Sequence, residues 1–179
     1  SGGVGCDSDC IIVIDETGVV EHQLDNRLNT QQKVAAIGMV WGKFAISSNF
    51  VDNTAGFGKG SIDLCAEKGI KLNGVNFSEN AFKEDAYPNL RTECYMELAD
   101  AIRAGLWVAE EIQKEILAQR MFIDKRGRVA LVPKDLVKKQ LGHSPDSADA
   151  LALAVYARNH GALFADEKDD YTAEEASDA

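Results

Sequence analysis

The stretch GHSPDSADALALAV, Gly142 to Val155, decides how the rest of the chain is read. Ser144 and Pro145 look like a helix start: a capping hydroxyl, then a proline at the first helical position. The helix they open is apolar, built from Ala and Leu, with two aspartates in its first turn, Asp146 and Asp149. Three residues apart on a helix, their carboxylates share one face. Acids in a first turn complement the helix dipole, which accounts readily for one aspartate. Two of them beside Ala148, Ala150, Leu151 and Leu153 are harder to explain that way, because carboxylates at a buried edge repel unless a cation or a proton sits between them. The spacing therefore admits a metal site as well as a plain helix start.

The whole chain bounds the alternatives. Its 179 residues suit one domain with a full core, and 45% hydrophobic with 27% charged residues is ordinary globular composition. No apolar run approaches the roughly 20 residues of a membrane span, so no membrane is expected. The opening SGGVGCDSD has no initiator Met and no signal peptide, and reads as a piece of something longer. Cys6, Cys10, Cys65 and Cys94 form no CxxC pair and are read as reduced thiols. The net charge of -10 argues against simple nucleic-acid binding. Much of it lies in the final ADEKDDYTAEEASDA, Ala165 to Ala179, with seven acids and one lysine, whereas a basic run, Asp124 to Lys139, immediately precedes the paired aspartates.

Along the chain, CIIVIDETGVVEHQL reads as a hairpin turning at Thr17-Gly18. A helix capped by Thr30 comes next, with Val34, Ile37, Val40 and Trp41 on one face. AISSNFVD reads as a buried strand ending at Asp52, then come the glycine-rich NTAGFGKG, a helix closed by Gly69, and the strand IKLNGVNF. Two more helices, LRTECYMELADAIRAG and VAEEIQKEILAQ, precede a hairpin with Arg126-Gly127 at its tip and the short helix KDLVKKQLG. Strands come first and then alternate with helices, which predicts α/β architecture with a mixed β-sheet flanked by helices. The acidic end is expected to be disordered.

The chemistry-bearing candidates are carboxylates. Asp52 ends a strand before a glycine-rich turn, the carboxyl edge where α/β sheets place ligands. Asp7 lies in a glycine loop before the first strand. Gly56, Gly58 and Gly60 are wrongly spaced for an ATP-binding loop. Ser47 and Ser48 lack a nucleophile elbow, and His22, His143 and His160 are scattered, with His143 a possible auxiliary beside the paired aspartates. Hard cations such as Mg²⁺ or Mn²⁺ take carboxylate oxygens. Two such ions held by acids from separate elements can activate water and stabilise the leaving oxygen of a phosphodiester, which makes an acidic cluster compatible with DNA. Lys134, Lys138, Arg126 and Arg128 are the cations expected to carry a DNA backbone toward it, Lys134 above all.

These residues resemble a family. GHSPDSADALALAV is similar to the last acidic motif of the large terminase subunits of tailed phages, and its DxxDAL core resembles the last helix of RuvC-type resolvases; both belong to the RNase H-like superfamily. SGGVGCDSDCIIVIDETG, VDNTAGFGKGSIDLCAEKGIKLNGVNF, YPNLRTECYMELADAIRAG and LVPKDLVKKQLGHSPDSADAL resemble further segments of the terminase nuclease, in order, over about residues 1–158. The resemblance implies an RNase H-like nuclease domain over residues 1–163, trimmed at its N-terminus, with an acidic tail over 164–179. It implies a two-metal endodeoxyribonuclease that cuts concatemeric double-stranded DNA at packaging in the host cell cytoplasm. Asp52, Asp146 and Asp149 match the family's catalytic metal ligands, with Asp146 the tighter one, and Asp7 matches an auxiliary acid. The family's first catalytic aspartate is expected just upstream of Ser1, and Asp15 is read as a turn residue. The implied partners are an ATPase domain earlier in the parent chain, a portal protein and a small terminase subunit. The alternative is an RNase H-like module, resolvase-type or inactive, that mainly binds DNA or packaging partners.

Overall fold

The computed structural model describes residues 8–26, 28–56 and 58–164. Asp7 and the tail from 165 onward lie outside the described residues. The chain opens on an antiparallel hairpin, β1 (Ser8–Ile14) and β2 (Val19–Asn26). Its turn is held by Asp15, whose Oδ1 accepts hydrogen bonds from the Thr17 amide and hydroxyl, both at 2.7 Å, and from the Gly18 amide at 3.0 Å. Asp15 is thus a turn residue, as expected. Gly18 is required there: a Cβ would stand 2.4 Å from the Trp107 carbonyl oxygen.

Helix α1 (Thr30–Lys43) begins one residue earlier than a Thr30 cap implies. Asn29 is the cap, in a reciprocal pair with Gln32: each side chain accepts the other's backbone amide at 2.9 Å. The long strand expected to end at Asp52 shrinks to β3 (Phe50–Asp52), which pairs in parallel with β4 (Asn73–Val75), across α2 (Lys59–Glu67). Next come α3 (Leu90–Arg103), α4 (Glu110–Leu117), the hairpin β5 (Met121–Ile123) and β6 (Val129–Leu131), α5 (Lys134–Leu141) and α6 (Asp146–His160). Gly142, in the left-handed region at φ 82°, ends α5 and lets the chain turn into α6.

Burial tracks the pleat of β3. Phe50 packs on the cluster formed by α3 and α6, which includes Cys94, Leu98, Leu151, Val155 and Tyr156. Val51 packs on the opposite cluster, formed by Val34, Cys65, Ile70 and Leu72. Strand β3 therefore lies between two helical layers. The expected single mixed sheet is not formed among the described residues. The described strands make three separate pairs, β1–β2, β3–β4 and β5–β6, because the ladder partners of β3 lie on β4 and the described partners of β1 lie on β2.

Candidate metal centre

The N-terminus of α6 departs from the sequence expectation by one position. Pro145, not Ser144, is its cap residue, and it offers no side-chain acceptor. The Ser144 hydroxyl instead donates to Asp146 Oδ1 at 2.5 Å. An orphan amide of this first turn, that of Ala148, is satisfied from another element: Glu115 of α4 accepts it at 2.9 Å. Glu115 is buried, and that burial pushes its carboxyl above the ordinary range despite the Ala148 amide.

The cation that the paired aspartates call for is a lysine. Lys134 Nζ, from the first residue of α5, lies 2.8 Å from Asp149 Oδ2 and 3.3 Å from Asp146 Oδ1. Asp149 is only 7% exposed and is saturated: its Oδ1 also accepts Arg91 Nε at 3.1 Å, Arg91 Nη2 at 2.9 Å and the Tyr95 hydroxyl at 2.7 Å. Burial pushes its carboxyl up, but Arg91, Lys134 and Tyr95 outweigh that and hold it below the usual carboxylate value. Burial likewise acts to lower Lys134, and the two aspartates raise it above an ordinary lysine. Tyr95 is driven well above a free phenol by burial first and then by Asp149. Asp146 is less enclosed, and its Oδ2 accepts the Ser8 amide of β1 at 2.7 Å.

Asp52 lines the same cavity as Asp146, Asp149 and Lys134, a space of about 770 Å³ running between β1, β3, α1 and α6. Its carboxylate is turned onto its own loop, with Oδ1 accepting the Thr54 amide at 2.9 Å and the Thr54 hydroxyl at 2.5 Å. Among the described residues no group of three or more His, Cys, Asp or Glu is placed to hold a metal ion. The donor chemistry nevertheless suits a hard cation: the acids on this cavity offer oxygen only, and the position between the two α6 carboxylates already holds a positive charge.

The other candidates spread outward. His143 is exposed, its Nδ1 2.8 Å from the Ser144 carbonyl oxygen and 3.7 Å from Glu115. Arg126 is exposed at the tip of the β5–β6 hairpin, whereas Arg128 is bound at 2.8 Å to Asp124, which also accepts the Arg126 amide. Lys138 is half-buried on α5. His22 contacts the Ser147 hydroxyl at 3.1 Å, and His160 pairs with Glu97 at 2.7 Å. The sequence reading missed Arg91, Tyr95 and Glu115 as members of the site. Arg91 and Tyr95 are one turn apart on α3 and so reach Asp149 together.

No protein-family profile and no curated protein sequence matches the chain. Solved structures do. A lysine-to-alanine variant of gp2c of the large terminase subunit of bacteriophage Sf6, with calcium, superposes with a TM-score of 0.70 at 18% identity, covering 84% of this chain and 83% of that one. The unaltered Sf6 nuclease domain gives 0.68 at 18% identity over the same shares. The variant with manganese gives 0.64 at 19% identity, covering 78% and 79%. The chain has the fold of the nuclease domain of a phage large terminase subunit.

Proposed function

We propose that this chain is a metal-dependent endonuclease domain of a viral DNA-packaging terminase large subunit, RNase H-like in fold, cutting concatemeric double-stranded DNA. The observation that carries the reading is the Asp146–Lys134–Asp149 arrangement at the head of a buried helix, in a cavity that Asp52 also lines. Asp52, Asp146 and Asp149 are the residues to hold Mg²⁺ or Mn²⁺, two ions in the fullest form, with Asp7 as an auxiliary. When bound, such ions supply Lewis-acid charge for phosphodiester hydrolysis. The protein's own part is to orient the carboxylates. Arg91 and Tyr95 fix Asp149, and the Ser8 amide and Ser144 hydroxyl fix Asp146. Lys134, which neutralises the two α6 carboxylates, would be the cation nearest the reacting phosphate, with Arg126, Arg128 and Lys138 along the approach. Solved Sf6 nuclease variants with calcium and with manganese support a divalent cation here. In the host cell cytoplasm the domain would act beside an ATPase domain of its parent chain, a portal protein and a small terminase subunit.

Incubating supercoiled plasmid with the protein and Mg²⁺, Mn²⁺, Ca²⁺ or EDTA tests the reading. Cleavage with Mg²⁺ or Mn²⁺ alone is expected, since Ca²⁺ takes looser and longer coordination. Full cleavage in EDTA refutes it. The saturation of Asp149 by protein donors favours a second reading, a DNA-binding module without activity. Duplex binding without cleavage under any of these cations would select it.

A further inference from the structure

The carboxylate of Asp52 is held by one neighbour, and the polarity of that contact is fixed. Thr54 gives Asp52 Oδ1 both its amide, at 2.9 Å, and its hydroxyl, at 2.5 Å. The same hydroxyl oxygen accepts the Phe77 amide at 3.1 Å. A threonine hydroxyl has one proton to give, an amide only donates, and an ionised carboxylate only accepts. The hydroxyl proton therefore lies toward Asp52, and the Phe77 amide polarises the oxygen in the sense that strengthens the donation. Both donors fall on Oδ1, so Oδ2 is the oxygen that they leave open.

The contact also reaches beyond its own turn. Ala55, the next residue, is held in the left-handed region at φ 56° and ψ 20°, where a side chain is rarely found without outside support. Phe77 lies 23 positions from Thr54 and is buried in the core cluster with Leu90 and Cys94. Its carbonyl oxygen accepts the Arg91 amide at 3.1 Å. Arg91 in turn holds Asp149 through Nε and Nη2. The Phe77 backbone thus stands between two arms of the centre, one running through Thr54 to Asp52 and the other through Arg91 to Asp149.

We infer that Thr54 is a positioning residue of the metal centre: its hydroxyl occupies Asp52 Oδ1 and leaves Oδ2 as the oxygen offered to a divalent cation, while the Phe77 backbone ties this arm to the Arg91–Asp149 arm. The inference rests on the reading of Asp52 as a metal ligand and adds how that ligand is aimed. A carboxylate ligand is itself oriented by hydrogen bonds, and losing such an outer contact weakens metal binding by about 10–100-fold.

Mn²⁺ affinity is measured by calorimetry, without DNA, for the parent chain, Thr54→Val, Thr54→Ser and Asp52→Asn. Thr54→Val keeps the shape and removes the hydroxyl, so affinity should fall about tenfold or more, whereas Thr54→Ser should stay within about threefold of the parent. A threonine that only supports the turn would lower Tm in Thr54→Val and leave the Mn²⁺ affinity of the folded protein as it was, which overturns the inference. Equal losses in Thr54→Val and Thr54→Ser overturn it too. Weakened binding in Asp52→Asn with parental binding in Thr54→Val removes Thr54 alone. Parental binding in Asp52→Asn removes Asp52 as a ligand, and the inference falls with it. In the unaltered chain, a Mg²⁺ titration followed by NMR should shift the Thr54 and Phe77 amides with one common affinity. Amides that stay still while Mg²⁺ binds overturn the inference without any substitution.

Discussion

The ammonium of Lys134 lies 2.8 Å from Asp149, a carboxylate that also receives Arg91 and Tyr95. Asp149→Ala would leave a mostly buried guanidinium and the Tyr95 hydroxyl without their acceptor. Removing one partner of a buried ion pair costs about 3–5 kcal/mol. We expect a loss of that size in urea denaturation, with a smaller one for Asp146→Ala, whose carboxylate is less enclosed. Equal losses would show that Asp149 is not the anchor of the cluster.

The same pair predicts the acid limb of stability. The folded Asp149 carboxyl lies below its unfolded value of about 3.9, so its contribution is fully present above that value and is lost as pH falls through the lower folded one. Glu115 has the opposite sign. Its folded value is raised, so the ionised form costs stability above that value, and the cost fades as pH falls toward the unfolded one. In buffers containing EDTA, Asp149→Asn should flatten the fall in Tm below pH 4. Glu115→Gln, which keeps an oxygen for the Ala148 amide, should be no less stable than the parent at pH 7. A pronounced destabilisation by Glu115→Gln would mean that the charge itself holds α6.

Asp52→Asn should abolish metal-dependent cleavage, by about a hundredfold or more, while changing stability by no more than about 0.5 kcal/mol. Asp52 is exposed at the end of β3, and an asparagine oxygen can still accept the Thr54 amide. A supercoiled-plasmid assay and a thermal melt on the same preparation decide it. Retained cleavage with a large drop in Tm would make Asp52 a loop residue only.

How much of the fold and site is legible in the sequence depends on the range of the interaction. Helices α1, α3 and α6 are dictated by apolar spacing, and the turn at Asp15 by local chemistry, because the residues that decide them are close in sequence. The caps are misplaced by one residue: at Asn29 because a second polar side chain, Thr30, stands next to the true cap, and at Pro145 because the Ser144 hydroxyl donates to Asp146 instead of capping. Arg91, Tyr95 and Glu115 carry no signal as site residues: each reads as an ordinary helix residue, and their partners on α6 lie 58, 54 and 33 positions away. The acidic pair itself is legible, and so is its need for a cation. Which cation answers it in the folded chain is not.

For DNA binding, Lys134→Ala and Arg126→Ala should each weaken duplex affinity for every sequence, and each should make the salt slope shallower by about one unit. Lys134 must exchange two carboxylates for a phosphate, so its contribution should grow when Mg²⁺ is present. Arg126, exposed at the hairpin tip, should contribute equally with and without the metal. A salt series of fluorescence anisotropy, run with Mg²⁺ and with EDTA, separates the two. An unchanged slope for Lys134→Ala under both conditions removes it from the interface.

The tie from Glu115 to the Ala148 amide has a consequence for how activity is lost on heating. Helix ends ordinarily fray early because their first amides are held by water or by a local cap. Here the first turn of α6 is pinned by a side chain from α4, by the Ser8 amide of β1 and by Lys134 of α5, and the helix behind it is packed against β1, β3 and α3. The two α6 carboxylates, Asp146 and Asp149, therefore sit on a helix end tied to three other elements. Heat inactivation should therefore coincide with cooperative unfolding of the whole domain, with no earlier phase in which cleavage fades while the far-UV signal stays native.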